Sequence, residues 1–306
     1  MIRATILGTI AVFLTTNALC AGMFEVQQVA DHIWALEGPA ENRNADNLAN
    51  NATFGLIETS EGAVLVDPGG SYKGAAAIDA VIATLTKQPV KYVINTGGQD
   101  HRWLGNSYWQ AKGAKIVSSN AAIADQNDRA SMQLTVLSQL IGAQGLENTK
   151  PSSADIRFDT AYDLSLGGVE IAVRHVAPAH TPGDSFVWLA QSKTVFTGDI
   201  VYVGRVLGVM EFSSSRNWIA AFEAVAALEP AHLVPGHGPA TTLAAAKADT
   251  YDYLVNLRTG MASHIDEGGD IIDAVNVDQS AFARLAQFDA LAGRNAQRVF
   301  EEMEWE

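Results

Sequence analysis

Four short apolar runs in this chain each end in a turn rich in Gly or Pro that carries a histidine or an aspartate. The turns are Asn95-Thr96-Gly97-Gly98-Gln99-Asp100-His101-Arg102, Ala179-His180-Thr181-Pro182-Gly183-Asp184, Phe196-Thr197-Gly198-Asp199 and Val234-Pro235-Gly236-His237-Gly238-Pro239. Glycine lets the backbone bend sharply as it leaves a strand, and strand ends are where a rigid scaffold presents reactive side chains. A chain built this way is constrained to layers of buried strands with their turns free to converge.

The rest of the chain fits that constraint. Polar and apolar residues alternate over 24–37, which predicts a hairpin. The stretch 38–51, rich in Asn, Ala and Gly and without periodicity, reads as a mobile loop. Strands are predicted at Thr53–Glu58, Ala63–Val66, Val90–Asn95 and Lys115–Ser118, and helical spacing at Ala75–Leu85 and Trp103–Ala111. Residues 119–150 read as helical but weakly ordered. A second half repeats the theme with strands at Ile171–Val176, Phe186–Leu189, Thr194–Phe196 and His232–Val234 and a helix at Trp218–Leu228. Two similar β/α halves with no Pro- or Ser-rich linker predict one α/β domain over 22–306, a four-layer αββα sandwich, with 243–306 as a mainly helical extension.

Residues 1–21 stand apart. Arg3 precedes an apolar run from Ile6 to Leu14, and small residues follow at Ala18, Cys20 and Ala21. This is the layout of a secretory signal peptide cleaved near residues 20–22, with a retained anchor as the competing reading. The run is short for a bilayer span. The expectation is a periplasmic or secreted bacterial protein with no stable membrane span after cleavage. Cys20 is the single cysteine, which excludes a disulfide scaffold and a cysteine-built zinc finger. Acids outnumber bases by 34 to 20, a net charge of −14, which argues against a nucleic-acid partner. A small-molecule substrate is the expected partner, and nothing here bears on oligomeric state.

Of the seven histidines, His101, His180 and His237 occupy the strand-end turns, and Asp199 occupies the fourth. Three imidazoles and a carboxylate compose a zinc shell with room for water. Taken singly, each histidine reads more readily as a surface or hydrogen-bonded residue than as a ligand, and it is their joint occurrence that marks them. His32, His175, His232 and His264 have no comparable setting. Asp67 reads as a turn support and Asp184 as a cap before the next strand. Arg102 reads as an anchor for an anionic substrate, a partner of Asp100 or a surface salt bridge.

Together, VLVDPGG at 64–70, the turn leading into RWLGN over 95–106, PAHTPGDSF at 178–186, VFTGD at 195–199 and VPGHGP at 234–239 resemble the metallo-β-lactamase superfamily. The resemblance covers nearly the whole chain after residue 21. The stretch VYVGRVLGV after Asp199 and the ending GRNAQRVFEEMEWE are similar to the quinoprotein relay system zinc metallohydrolases, which are exported hydrolases. The resemblance implies the αββα fold and zinc-dependent hydrolysis.

One departure is informative. The family signature runs Thr-His-x-His-x-Asp-His, then two residues and Gly-Asn. Counting back from Gly105-Asn106 without a gap puts Gly97 and Gln99 where two histidines of the first metal site belong, His101 at the Asp position and Arg102 at the last His. The implied set is one well-held zinc on His101, Asp199 and His237, with His180 as a fourth ligand or hydrogen-bonding neighbour and a second ion left open. A one-residue slip instead matches Asp100-His101 to the Asp-His pair and makes Asp100 a ligand or a general base. Such a zinc lowers the pKa of its water from ~15.7 to about 7. The expected reaction is hydrolysis of a small ester, thioester, lactone or lactam. The competing expectation is a non-catalytic periplasmic protein that uses the cleft to bind a ligand or partner. Gly97 and Gln99 favour it; the intact turns oppose it. Neither a Gly-x-Ser-x-Gly elbow nor a dinucleotide or P-loop turn is present.

Overall fold

The computed structural model describes residues 22–306, so the expected signal peptide lies outside the described residues. Twelve strands form among them: β1 (Glu25–Ala30), β2 (Ile33–Glu37), β3 (Thr53–Thr59), β4 (Gly62–Val66), β5 (Val90–Ile94), β6 (Lys115–Ser119), β7 (Ile156–Phe158), β8 (Ala161–Leu166), β9 (Val169–Arg174), β10 (Phe186–Leu189), β11 (Thr194–Phe196) and β12 (His232–Val234). A seven-stranded sheet runs in the order β1 to β7, and a five-stranded sheet runs β12-β11-β10-β9-β8. The principal helices are α1 (Tyr72–Leu85), α2 (Asn106–Ala111), α3 (Asn120–Leu140), α4 (Ser215–Ala226), α5 (Asp252–Asp266) and α6 (Phe288–Met303).

Strand periodicity explains the four layers. Successive side chains of a strand point to opposite faces, and in β4 both faces are apolar. Ala63 and Leu65 pack outward with Ile78, Val81 and Ile82 of α1. Val64 and Val66 face inward, where they meet Val173, Val187 and Phe196 of the second sheet. Leu233 of β12 and Val195 of β11 point the other way, into a core shared with Trp218 and Phe222 of α4, Leu257 of α5 and Val299 of α6. The result is helix, sheet, sheet, helix, as the repeated β/α halves predict. Each fully buried Leu or Val contributes roughly 1.5–3 kcal/mol. Gly55 is required where the sheets meet, because a Cβ there would collide with the Phe196 ring.

Three segments differ from expectation. Residues 38–51 are pinned, not mobile: Asn47, Ala49, Asn50 and Asn51 are buried, and the Asn50 side chain donates to Gly74 O at 3.0 Å and accepts from Gly70 N at 3.1 Å. Side-chain hydrogen bonds supply the order that periodicity lacks. The stretch 119–150 is led by a 21-residue helix, capped where Ser119 Oγ accepts from Ala122 N at 3.1 Å. Two strands, β7 and β8, were not anticipated. β7 has only three residues, and β8 is largely exposed.

The C-terminal helices are tied to the rest. Glu302 of α6 accepts from Ser215 N at 2.9 Å, helping to cap α4, and Asn295 donates to Leu207 O at 2.8 Å while accepting from Val209 N at 2.9 Å. Among the described residues no helix is long and apolar enough to cross a membrane.

Candidate metal centre

The parallel pairing of β11 with β12 places two of the turn residues side by side. Its register sets Phe196 opposite Val234, and Asp199 and His237 each lie three residues beyond that pair. His101 arrives from the other sheet, in a short helical turn after β5 (Asp100–Arg102). The three residues are buried, and one potential ligand atom from each lies within 4.8 Å of the others. Asp199 Oδ1 is 3.2 Å from His237 Nε2, and Asp199 Oδ2 is 3.4 Å from His101 Nε2. The two imidazoles meet edge to face with centroids 5.1 Å apart.

The donor set fits a zinc ion. Two imidazole nitrogens and a carboxylate oxygen are ordinary zinc ligands and leave a position open. His101 Nε2 is buried with no hydrogen-bond partner among the described residues, the condition in which a ligand or ion is expected. Burial pushes the His237 imidazole well below its usual pKa, so its lone pair is available at neutral pH. Its ring stacks on Tyr202, with centroids 4.5 Å apart and planes at 20°.

Asp199 is held from behind by Arg102. Burial alone would raise the Asp199 carboxyl, but the Arg102 guanidinium and the two imidazoles more than offset it and hold the group well below the usual range. Arg102 is fully buried and also donates to Asp67 Oδ2 at 2.8 Å, Gly236 O at 2.8 Å and Thr53 O at 3.2 Å. It therefore has no free donor for an anionic substrate, does not pair with Asp100 and is no surface salt bridge. Asp67, at a positive φ of 66°, supports its turn by accepting from Thr96 N at 2.8 Å and is also a counter-ion of Arg102.

Asp100 lies outside the trio. Its Oδ1 accepts from Arg43 Nε at 3.0 Å and Nη2 at 2.7 Å and from His101 N at 2.7 Å, and it is 3.0 Å from His101 Nδ1. Burial would raise this carboxyl, yet Arg43 and His101 hold it far below its ordinary value. A carboxylate so held is a poor proton acceptor at neutral pH. The geometry makes Asp100 a positioning residue behind His101 in place of the ligand or base of the slipped alignment.

His180 also falls outside the trio. Its Nδ1 donates to Gly208 O at 2.9 Å, and Tyr202, Phe212 and Trp218 surround the ring at 5.6–6.1 Å between centroids. Burial lowers its imidazole to about 4. Beside it, the space of the altered signature is filled. A Cβ at Gly97 would press into Asp184 Oδ1, and one at Gly98 into Asp125 Oδ2. Helix α3 closes the same region: Gln126 donates to Gly97 O at 3.0 Å, Gln133 to Gly98 O at 2.8 Å, and Arg129 pairs with Asp125. Asp184, read as a cap, accepts from Thr181 N at 2.7 Å, and burial and the Asp199 charge raise its carboxyl. Of the remaining histidines, His32 meets Glu58 at 2.7 Å, His175 meets Asp184 O at 2.8 Å and His264 meets Asp270 O at 2.8 Å.

Arg43 is the residue that sequence reasoning missed. It stands 57 positions before Asp100 in a stretch with no periodicity, and its only signal was being the sole cation between Gly38 and Asn51.

Known proteins share this architecture. A metallo-β-lactamase from Pontibacter korlensis has 22% identity and a TM-score of 0.62 over 76% of this chain and 99% of its own. The stereoselective inverting sec-alkylsulfatase Pisa1 from Pseudomonas sp. has 14% identity and a TM-score of 0.71 over 92% of this chain, which spans 50% of that protein. The metallo-β-lactamase FIM-1 from Pseudomonas aeruginosa, in a mono-zinc form, has 18% identity and a TM-score of 0.58 over 76% of this chain and 95% of its own. At such identities these likenesses speak for the fold. The sequence profile of the family matches residues 49–237, a span that opens in the loop before β3 and ends on His237 itself, and the chain belongs to the metallo-β-lactamase superfamily.

Proposed function

We propose that this chain is an exported metal-dependent hydrolase that holds a single zinc on His101, Asp199 and His237 and cleaves a small ester, thioester, lactone or lactam. The observation that carries the reading is the convergence of three buried donor atoms within 4.8 Å, one of them, His101 Nε2, with no partner among the described residues. Zinc bound there would lower the pKa of a water and polarise the bond to be cut. The protein's own part is to keep three ligands aimed and deprotonated. Asp100 presents an acceptor to His101 Nδ1, which fixes the ring with Nε2 inward, as carboxylates behind ligating histidines do. Arg102 keeps Asp199 ionised and fixes its plane. Tyr202 fixes the plane of His237. A fold neighbour solved in a mono-zinc form lends support to one ion, and the composition of residues 1–21 supports export.

Metal content tests the reading. The purified chain, refolded in excess zinc and desalted, is expected to hold about one equivalent, the number that a single three-residue shell accommodates. A negligible content would remove the hydrolase reading, and a His237→Ala variant that held zinc as tightly as the parent would remove the ligand assignment.

A second reading, a non-catalytic periplasmic binding protein, is favoured by one observation: Asp184 and Asp125 fill the space beside Gly97 and Gly98. Assay of the zinc-loaded chain against chromogenic esters, thioesters and lactams separates the two. Turnover of any class that is abolished by chelation supports the hydrolase; stoichiometric zinc with no turnover supports the binding protein.

A further inference from the structure

The segment that carries Tyr202 is paired with its neighbour on one side. Gly236 N donates to Val201 O and Val203 N donates to His237 O, both at 2.9 Å, so residues 201–203 run as a short strand beside residues 236–237. In an extended chain the N–H and C=O of one residue point to the same side, and those of the next residue to the opposite side. The backbone groups of Tyr202 therefore face away from His237, as the open edge of a sheet would, yet the residue is buried. One side chain satisfies both groups. Thr250 Oγ1 accepts from Tyr202 N at 2.9 Å and donates to Tyr202 O at 2.6 Å. A hydroxyl can do this because it is donor and acceptor at once.

Thr250 belongs to the C-terminal extension, in a wide π-helical turn at Lys247–Tyr251 just before α5. Such turns are rare and recur at functional sites. A helical threonine ordinarily donates to a carbonyl one turn back; this one donates to Tyr202, 48 positions away, and has no exposed surface. The extension holds the following peptides as well. Asp249 Oδ2 accepts from Gly204 N at 2.9 Å, Ala286 N donates to Gly204 O at 3.0 Å and Ala286 O accepts from Val206 N at 2.9 Å. All of these partners lie beyond residue 237, where the match to the family profile ends.

We infer that Thr250 is a positioning residue of the metal centre: it locks the backbone of Tyr202, and with it the Tyr202 ring, against His237. That ring stacks on the imidazole with centroids 4.5 Å apart and planes at 20°, so a shift of residue 202 frees the plane of a metal ligand. Without the hydroxyl, two buried backbone groups lose their partner at once, which is costly enough to move the edge in search of another. Asp100 and Arg102 hold His101 and Asp199 from behind. Thr250, acting through Tyr202, completes the support for the third ligand. The inference deepens the hydrolase reading and rests on it for the metal, while the stacking itself does not depend on an ion.

Three variants of the purified chain test this. Thr250→Val keeps the shape and removes the hydroxyl, Thr250→Ser keeps the hydroxyl, and Met261→Ala hollows the core beneath α5 with the hydroxyl in place. In the zinc-free chain, the proton resonances of the His237 ring report the stacking, because the Tyr202 ring displaces them upfield. Competition with a chromogenic chelator reports the zinc affinity. Thr250→Val is expected to lose the upfield displacement and to bind zinc about 10–100-fold more weakly, while Thr250→Ser and Met261→Ala match the parent in both. Parent-like resonances or parent-like zinc affinity in Thr250→Val, no recovery in Thr250→Ser, or an equal loss in Met261→Ala would each overturn the inference. Should Thr250→Val fail to fold, Thr250→Cys, whose thiol is a weaker donor and acceptor, must show both losses in smaller measure, and parent-like values overturn it. A parent chain that holds no zinc loses the hydrolase reading, and the His237 resonances of the zinc-free chains then decide this inference alone; zinc held equally well without the Thr250 hydroxyl removes only this inference.

Discussion

Arg102 grips Asp199 through two parallel hydrogen bonds, Nη2 to Oδ1 at 2.7 Å and Nε to Oδ2 at 3.2 Å, with neither side chain exposed to solvent. The same guanidinium reaches Asp67 at 2.8 Å, so one cation holds two buried carboxylates from opposite sheets. Arg102 serves the candidate centre from behind.

Removing that cation strands two buried anions, which costs more than the net worth of the pairs. Arg102→Met is expected to lower the unfolding free energy by about 3–5 kcal/mol. Arg102→Lys is expected to recover part of that loss, since one ammonium cannot reproduce the fork. Urea denaturation of the three proteins checks this, and a Met variant within about 1 kcal/mol of the parent would contradict the buried-trio account.

Asp100 and Arg43 act on the centre through His101. Asp100→Asn and Arg43→Ala are expected to remain folded at reduced stability and to weaken zinc binding by about 10–100-fold, the range for partners behind ligating histidines. Competition with a chromogenic chelator measures the affinity. Zinc held as tightly in both variants as in the parent would remove the positioning role.

The altered signature is expected to resist reversal. Because a side chain at Gly97 runs into Asp184, Gly97→Ala should cost about 1–3 kcal/mol. The double variant Gly97→His with Gln99→His should bind no more zinc than the parent. A gain to two equivalents by elemental analysis would show that the space yields.

His180 makes stability depend on pH. It is 6% exposed, and burial lowers its imidazole from 6.5 to about 4. With the folded value below the unfolded one, the unfolded chain takes up the proton first as acid is added. The contribution is therefore full above about pH 6.5 and is lost as the pH falls towards about 4, to the extent of about 3 kcal/mol. Subtracting the profile of His180→Gln isolates this residue from the carboxylates. Parallel profiles for the two proteins would discard it.

Strand and turn chemistry is local, and it was readable from the chain. Alternation marked the β1–β2 hairpin, and β12 spans His232–Val234 as expected. The Gly- and Pro-rich turns marked His101, Asp199 and His237, which come together. Helix α3 was blurred because its inward face is polar. Asp125, Gln126, Arg129 and Gln133 are buried there; Gln126 and Gln133 donate to carbonyls of the Gly97-Gly98 turn, and Arg129 pairs with Asp125, so no apolar stripe forms.

Which residues ended in strands, and which reactive groups stood at their ends, followed from side-chain period and backbone freedom over a few neighbouring positions. The exclusion of His180 from the trio, the grip of Arg102 on partners 35 and 97 positions away and the reach of Arg43 across 57 residues to Asp100 depended on which turns and loops the assembled sheets bring together. Charge pairing and burial act through space, and a buried ion takes whichever counter-charge the assembled layers bring within about 3 Å.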